Sequence, residues 1–325
     1  MELYTDIANK NYSRKRAFAY FGIVFVVFVW GLYPIFTSDL LKSYSGGAFT
    51  FVSSLVSAVV LFLECIPNLK LIDRSYFKVA VPTGLFVALA NLFQKIGLQY
   101  TTPTQYAFLE NLSCVVVPIL LFFFIKKKPG VLTVASSVLC LAGCFVLSGV
   151  ASSGGVSIGR GEILCALAGV MYGVNVAATG VFAKRFHAVL YVMIQMWVNV
   201  LVSGGVALAL HLIRPGNVPL ETFVFSWNPK HLVLLAVLVL SISCFGWIVR
   251  TEALKYVNPS AVAVIMPFSS VVTGVVAVCV GKDTFGLPLL FGGLMIVLSS
   301  VLSTFADVRE SRGAKIHLKE QLDDD

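Results

Sequence analysis

Two charged residues lie inside apolar stretches of the sequence, where a charge is costly. Lys95 stands six residues before the turn at 101–103, and Glu110 stands about eight residues after its start. At about 1.5 Å per helical residue they lie about 9 and 12 Å from that turn. The short turn makes the flanking helices antiparallel neighbours, so the two side chains can pair at similar depth. Charges at depth mark solute or proton pathways. The alternative is that Lys95 snorkels to the outer interface and Glu110 merely neutralises it.

A second candidate cluster belongs to the other half of the chain. Arg250 follows Trp247 by three residues, so both lie on one helix face. An arginine there can grip a carboxylate or phosphate with two hydrogen bonds. Alternatively, it snorkels to the cytoplasmic interface and forms a cluster with Glu252 and Lys255.

Polar and aromatic residues at helical spacing complete the candidate site. They are candidates for solute contact, although interhelical hydrogen bonding and packing are the alternative roles. The predicted substrate-binding residues are Trp30, Tyr33, Asn91, Gln94, Lys95, Glu110, Asn111, Tyr172, Asn175, Trp247 and Arg250.

Apolar segments of membrane-spanning length must position these residues. The chain has 325 residues, of which 58% are hydrophobic and 12% charged, about half the charge of a typical soluble domain. Its charges separate apolar runs of roughly 20 residues, the length that crosses a bilayer core. The runs predict ten transmembrane helices, at 17–41, 46–66, 76–100, 102–125, 129–150, 160–183, 187–211, 230–256, 258–280 and 286–306.

The basic residues predict the orientation of these helices. Most of the 24 lysines and arginines lie in segments that share one side if both termini are cytoplasmic, as the positive-inside rule requires. The net charge of +8 is therefore interpreted as a topology signal and not as a nucleic-acid surface. In this topology Lys95 and Arg250 lie toward opposite faces, which argues against a shared grip on one solute.

The two halves of the chain resemble each other at an offset of 156 residues. Tyr100 and Pro103 align with Tyr256 and Pro259, and Ser113 aligns with Ser269. Each half has five predicted spans, an odd number, so the second half must be inverted relative to the first. Inverted halves with a site between them are typical of secondary transporters.

These repeated turns resemble the drug/metabolite transporter superfamily, in particular its ten-helix group with two EamA-type halves. The resemblance covers roughly residues 17–306. It lies in Gly97-Leu-Gln-Tyr100-Thr-Thr, in Ala253-Leu-Lys-Tyr256-Val-Asn-Pro-Ser260, in Met266-Pro267 and in Trp30-Gly31. It implies an all-α membrane fold of two inverted five-helix repeats and a transport function. One departure is that Glu110-Asn111 stands where the second half has Met266-Pro267.

The expected function is a secondary transporter, an exporter or exchanger of small polar metabolites such as amino acids, working by alternating access. An exchanger of phosphate-bearing metabolites or nucleotide sugars is the alternative. A membrane-embedded enzyme or a non-transporting membrane protein belongs to a different class. No enzyme activity, cofactor or metal is predicted, because the four histidines are scattered and the seven cysteines lie in apolar segments without ligand spacing.

The expected organisation is a cytoplasmic segment at 1–16, repeats at 17–150 and 160–306, and a cytoplasmic, solvated tail at 307–325. The expected partners are a small-molecule substrate and the lipid bilayer, with no nucleic acid. Coupling protons, for which Glu110 is the main candidate, and a homodimer remain open. The expected location is the cell (plasma) membrane, with both termini cytoplasmic.

Overall fold

The computed structural model describes residues 2–40, 46–101, 103–126, 128–148, 159–213, 227–281 and 285–323. Within these segments the protein is built of helices, with no strand. They are α1 (Glu2–Leu40), α2 (Gly46–Cys65), α3 (Arg74–Leu98), α4 (Pro103–Glu110), α5 (Ser113–Ile125), α6 (Val131–Leu147), α7 (Arg160–Phe182), α8 (Ala188–Ile213), α9 (Pro229–Leu238), α10 (Trp247–Ala253), α11 (Pro259–Ile265), α12 (Phe268–Cys279) and α13 (Leu287–Asp323).

The helices have the length and composition of membrane spans. In the described part of the chain nine candidate spans are long and apolar enough to cross a bilayer, and α6 adds a shorter apolar helix over Val131–Leu147. Four of the nine combine elements: α2 with a 3₁₀ helix at Ile66–Leu71, α4 with α5, α9 with α10, and α11 with α12. Large apolar side chains such as Phe18 and Leu201 point outward, as a lipid-facing surface requires. The predicted all-α membrane fold is confirmed.

Two spans are interrupted at equivalent points of the repeat. Between α4 and α5 the α-helix is interrupted at Asn111 and Leu112. The Leu112 N–H donates a hydrogen bond to the Leu109 carbonyl, three residues earlier, at 3.2 Å. Between α11 and α12 the break falls at Met266 and Pro267, and a proline cannot donate to the helix. The break positions differ by 155 residues, one fewer than the offset of the repeated turns. The departure seen at Glu110-Asn111 and Met266-Pro267 therefore lies at a shared structural feature.

The eighth span contains a different irregularity. Val239–Gly246 winds as a π-helix between α9 and α10. Such wide turns often accompany functional sites, and this one ends directly before Trp247.

Helix boundaries differ from the prediction mainly at the two termini. The first helix begins at Glu2 and not near residue 17, and the last continues to Asp323 beyond the expected end at 306. The tail expected at 307–325 is therefore helical over the part described. One physical reason is an ion pair between Arg16 and Asp307, which holds the two extensions together. Met1 and residues 41, 102, 149–150 and 324–325, which the predicted boundaries include, lie outside the described residues.

The halves meet through closely packed glycines. A methyl group built on Gly97 of α3 would lie 3.1 Å from the Gly161 carbonyl at the start of α7. On the other side, one on Gly143 of α6 would lie 3.0 Å from the Ile296 nitrogen of α13. Small residues allow membrane helices to approach at van der Waals distance. Each contact joins a helix of the first half to one of the second.

Candidate solute-binding site

A cavity of about 160 Å³ lies between the two halves. An engineered protein cavity of roughly 150 Å³ holds a benzene molecule, so this volume suits a small organic solute. Its lining residues are Trp30, Tyr33, Thr50, Ser53, Ser54, Asn91, Gln94, Lys95, Tyr106, Glu110, Asn111, Ser113, Tyr172, Val176, Met196, Asn199, Trp247, Arg250, Met266, Ser269, Ser270 and Thr273.

Nearly all the candidate residues chosen from the sequence line this one cavity. The exception is Asn175, which is fully buried behind the wall and accepts a hydrogen bond from Arg250. The lining comes from both halves because α1 to α5 carry one part of it and α7, α8, α10 and α12 carry the other. The structure therefore brings the candidate residues together, while their contact with a solute stays a prediction.

Gln94 organises the first-half cluster. Its amide nitrogen donates to Glu110 Oε1 at 2.6 Å and also to the Tyr106 hydroxyl. Its amide oxygen accepts from Lys95 Nζ at 3.0 Å and from the Tyr172 hydroxyl at 3.0 Å. One amide thus links a cation, a carboxylate and two phenols.

Lys95 and Glu110 do not pair directly, contrary to one expectation. Neither takes part in the ion pairs within 4.0 Å that the described residues form, and Gln94 stands between them. Lys95 does not snorkel to the interface either: it is only 4% exposed, and its Nζ lies 4.4 Å from the centre of the Tyr33 ring. Position in the sequence indicates the depth of each residue, but not the side-chain directions that decide the partner.

Arg250 forms the second-half cluster. It is 2% exposed, donates to the Asn175 amide oxygen and lies with its guanidinium 4.4 Å from the Trp247 ring. The alternative that Arg250 snorkels to the interface is therefore wrong, because its side chain is buried. Glu252 pairs with Lys255 at 2.6 Å. The face shared with Trp247 turns the cation inward.

The amide of Asn175 is itself held in place. Its nitrogen donates to the Thr83 carbonyl of α3 at 3.0 Å, which leaves its oxygen facing Arg250. The Thr83 hydroxyl lies 2.5 Å from that of Tyr191 and accepts from Gln195 at 3.0 Å. This network of hydrogen bonds joins helices α3, α7 and α8. It fixes the position of the Asn175 amide that binds Arg250.

Aromatic rings connect the two clusters. Trp247 lies 5.8 Å from Trp30 and 6.3 Å from Tyr172, measured between ring centres. The Tyr172 hydroxyl donates to Asn91 at 2.9 Å as well as to Gln94. Lys95 and Arg250 both line this one cavity. Their placement toward opposite faces of the membrane stays a prediction.

Small hydroxyl residues make up most of the lining that the predicted site lacks. The predicted site also lacks Tyr106, Val176, Met196, Asn199 and Met266. Thr50, Ser53 and Ser54 come from α2. Around the two helix breaks stand Ser113, Ser269, Ser270 and Thr273, and Asn111 donates to Ser270 at 3.1 Å across the halves. The alignment of Ser113 with Ser269 was the available signal, since it puts a hydroxyl at the same break in each half.

The site has no metal-ligand arrangement in the described segments. No group of three or more His, Cys, Asp and Glu side chains is close enough there to hold an ion. Its chemistry is that of hydrogen bonding, charge and aromatic contact.

Comparison with known proteins gives the family. The EamA-like transporter family matches residues 17–149 and again 159–305. An uncharacterized transporter of Archaeoglobus fulgidus is 23% identical over 289 residues, which cover 89% of this chain and 86% of the relative. A solved crystal structure, 17% identical in sequence, shares the fold with a TM-score of 0.69 over 88% of this chain and 96% of its own. With a family match across both halves, the chain belongs to the EamA-like transporters and is a multi-pass membrane protein.

Proposed function

We propose that this protein is a secondary transporter that carries a small polar metabolite by alternating access. The observation that supports it most is the polar cavity between the halves, to which both contribute side chains. A solute held there contacts both halves, so rocking one against the other moves its exit from one side of the membrane to the other.

The contacts on one side of the cavity support a closed gate there. Arg16 and Asp307 join the first and last spans. Beyond the cavity, Ile23 and Val27 of α1 pack in one buried cluster with Val117 of α5 and Leu254 near the end of α10. In the proposed topology this closed side is cytoplasmic, so the solute enters or leaves the cavity from the outer side of the membrane. The opposite state requires these contacts to separate.

The lining supports small polar metabolites such as amino acids. It combines cations, a carboxylate, hydroxyls and indole rings, which suit a solute with charged groups and an organic body. A phosphate-bearing metabolite is the second candidate. Lys95 and Arg250 share the cavity, which removes the geometric objection to it. The proposed location is the cell membrane with cytoplasmic termini, where an exporter or exchanger meets its solute. Neither substrate candidate requires an enzymatic step.

Flux through purified protein in liposomes tests the proposal. Vesicles preloaded with a radiolabelled amino acid or sugar phosphate are expected to show saturable uptake and counterflow in the wild type. Glu110→Gln is expected to lower the rate without lowering the amount of reconstituted protein. A non-saturating flux without counterflow indicates a channel and contradicts the proposal.

A further inference from the structure

The charges of the cavity do not balance. Of the described residues that line it, Lys95 and Arg250 are cations and Glu110 is the acid. Glu110 accepts a hydrogen bond from Gln94, and in its ionised form it offsets one of the two positive charges. A protonated Glu110 enlarges the surplus. These side chains therefore leave at least one positive charge uncompensated.

Neither cation has a carboxylate partner among the described residues. Arg250 bonds to an amide oxygen of Asn175 and lies on the Trp247 ring. Lys95 likewise bonds to the amide oxygen of Gln94 and lies on the Tyr33 ring. Neutral partners orient a cation but do not neutralise its charge. An uncompensated buried charge is strongly destabilising. A ligand that supplies the negative charge removes this penalty.

Unsatisfied polar atoms gather at the same place. In the described part of the chain, Arg250 Nε, Asn199 Oδ1 and Trp30 Nε1 are buried without a hydrogen-bond partner, and all three residues line the cavity. Buried polar atoms in folded proteins are nearly always bonded. Water is able to complete these bonds, but it cannot cancel the charge. Two of the atoms are donors and one is an acceptor.

We infer that the cavity selects a small solute of net charge −1, whose anionic group binds Arg250 and whose hydrogen-bond donor faces Asn199. This rests on the proposed function and narrows its substrate class to organic anions that carry a hydroxyl group, or an amino group together with a second acidic group. A planar carboxylate matches the guanidinium best, because two parallel hydrogen bonds form. A zwitterion of zero net charge, or a neutral sugar, leaves the surplus in place. Asn175 acts as a positioning residue that fixes the guanidinium from behind.

Quenching of the cavity tryptophans by small ions measures this surplus even while the transported solute is unidentified. Trp197→Phe and Trp227→Phe leave Trp30 and Trp247, both in the lining, as the fluorophores. Iodide, caesium and neutral acrylamide are compared at low ionic strength in detergent. We expect a Stern–Volmer constant several-fold higher for iodide than for caesium, each normalised to acrylamide.

Substitutions test whether Arg250 causes the preference for iodide over caesium. Arg250→Gln is expected to reduce the iodide constant toward the caesium value, and Arg250→Lys to keep most of it. Lys255→Gln is the matched control, because this nearby cation is paired with Glu252 and does not line the cavity. If Arg250→Gln does not elute as a folded protein, Lys95→Gln takes its place in the comparison. Equal quenching by iodide and caesium in the wild type, or no change in the charge-removing variant, overturns the inference.

A matched pair of solutes tests the chemical class. Lactate, a monoanion with a hydroxyl donor, is expected to protect the tryptophans from iodide, and lactamide, its neutral counterpart, is expected not to. Equal protection, or no protection by lactate, contradicts the proposed class. Flux that persists without anion preference removes this inference alone, whereas anion preference without any flux removes the transport function.

Discussion

Arg16 of α1 and Asp307 of α13 form an ion pair of 2.6 Å that joins the first span to the last. The same carboxylate oxygen accepts from the Tyr20 hydroxyl at 2.5 Å, and the Ser311 hydroxyl accepts from the guanidinium. The two side chains are 13% and 9% exposed. The first repeat is thus fastened to the second by a nearly buried, charge-assisted contact.

Replacing Asp307 by Asn is expected to destabilise the protein. The change leaves the Arg16 charge buried without its counter-charge, and breaking a buried pair from one side costs about 3–5 kcal/mol. The measurement is the apparent melting temperature of the purified protein in detergent. Glu252→Gln is the matched control: it removes a pair of the same 2.6 Å length whose acid is 47% exposed, for which about 0–1 kcal/mol is expected. Equal shifts in the two variants contradict the structural importance of the contact.

The sequence predicts the spans and the membership of the site better than its contacts. Span length and charge placement depend on composition, so Lys95 and Glu110 were recognisable as deep charges. Their separation by Gln94 depends on rotamers and helix rotation, which a single sequence does not contain. Arg250 shows the same limit: its depth was compatible with snorkelling, and only the packing of Trp247 and the anchored Asn175 turns it inward.

Gly169 is expected to be intolerant of any side chain. A Cβ added to this residue of α7 would lie 2.5 Å from the Leu109 carbonyl and 2.8 Å from that of Glu110, at the end of α4. Gly169→Ala must therefore displace the end of α4, which carries Glu110. Overpacking of this kind costs about 1–3 kcal/mol. We expect a lower melting temperature and a lower transport rate.

Gly205→Ala provides the comparison for this glycine. It lies in α8, and nothing stands within 4 Å of its added methyl group. Because alanine is the better helix former by about 1 kcal/mol, this variant is expected to be as stable as the wild type or slightly more so. A Gly169→Ala protein that matches it in stability and rate would show that the α4 end is free to move.

Gln94 is expected to matter for transport through the groups that it connects. Gln94→Leu removes the partner of Lys95 and one donor to Glu110 while keeping a similar volume. Leaving buried polar groups unpaired costs about 1–3 kcal/mol each, so we expect a marked fall in transport rate. Gln99→Leu, near the end of the same helix, is the control. Among the described residues, Gln99 Oε1 has no hydrogen-bond partner, and the residue does not line the cavity. Similar rates in the two variants would separate the Gln94 network from the transport cycle.

Labelling of single cysteines tests the inverted arrangement of the halves. Cys279 is the exposed cysteine among the seven, and the other six are buried, so Cys279→Ser provides a background of low reactivity. Lys128→Cys reports the loop before α6, Lys184→Cys the loop before α8, and Arg160→Cys the start of α7; all three positions are exposed. A membrane-impermeant maleimide applied to intact cells is expected to label only position 160.

The result bears directly on the parity of the repeat. Positions 128 and 184 are separated by two predicted spans, α6 and α7. They share a side if both helices cross the bilayer, and they lie on opposite sides if α7 crosses and α6 does not. α6 is the critical element because its 17 residues are at the lower limit for a span. If it crosses, each half has five spans, and the second half is inverted relative to the first. Labelling of positions 128 and 184 from opposite sides would leave an even number of spans in one half. The two halves would then not be inverted relative to each other, which contradicts the arrangement proposed here for alternating access.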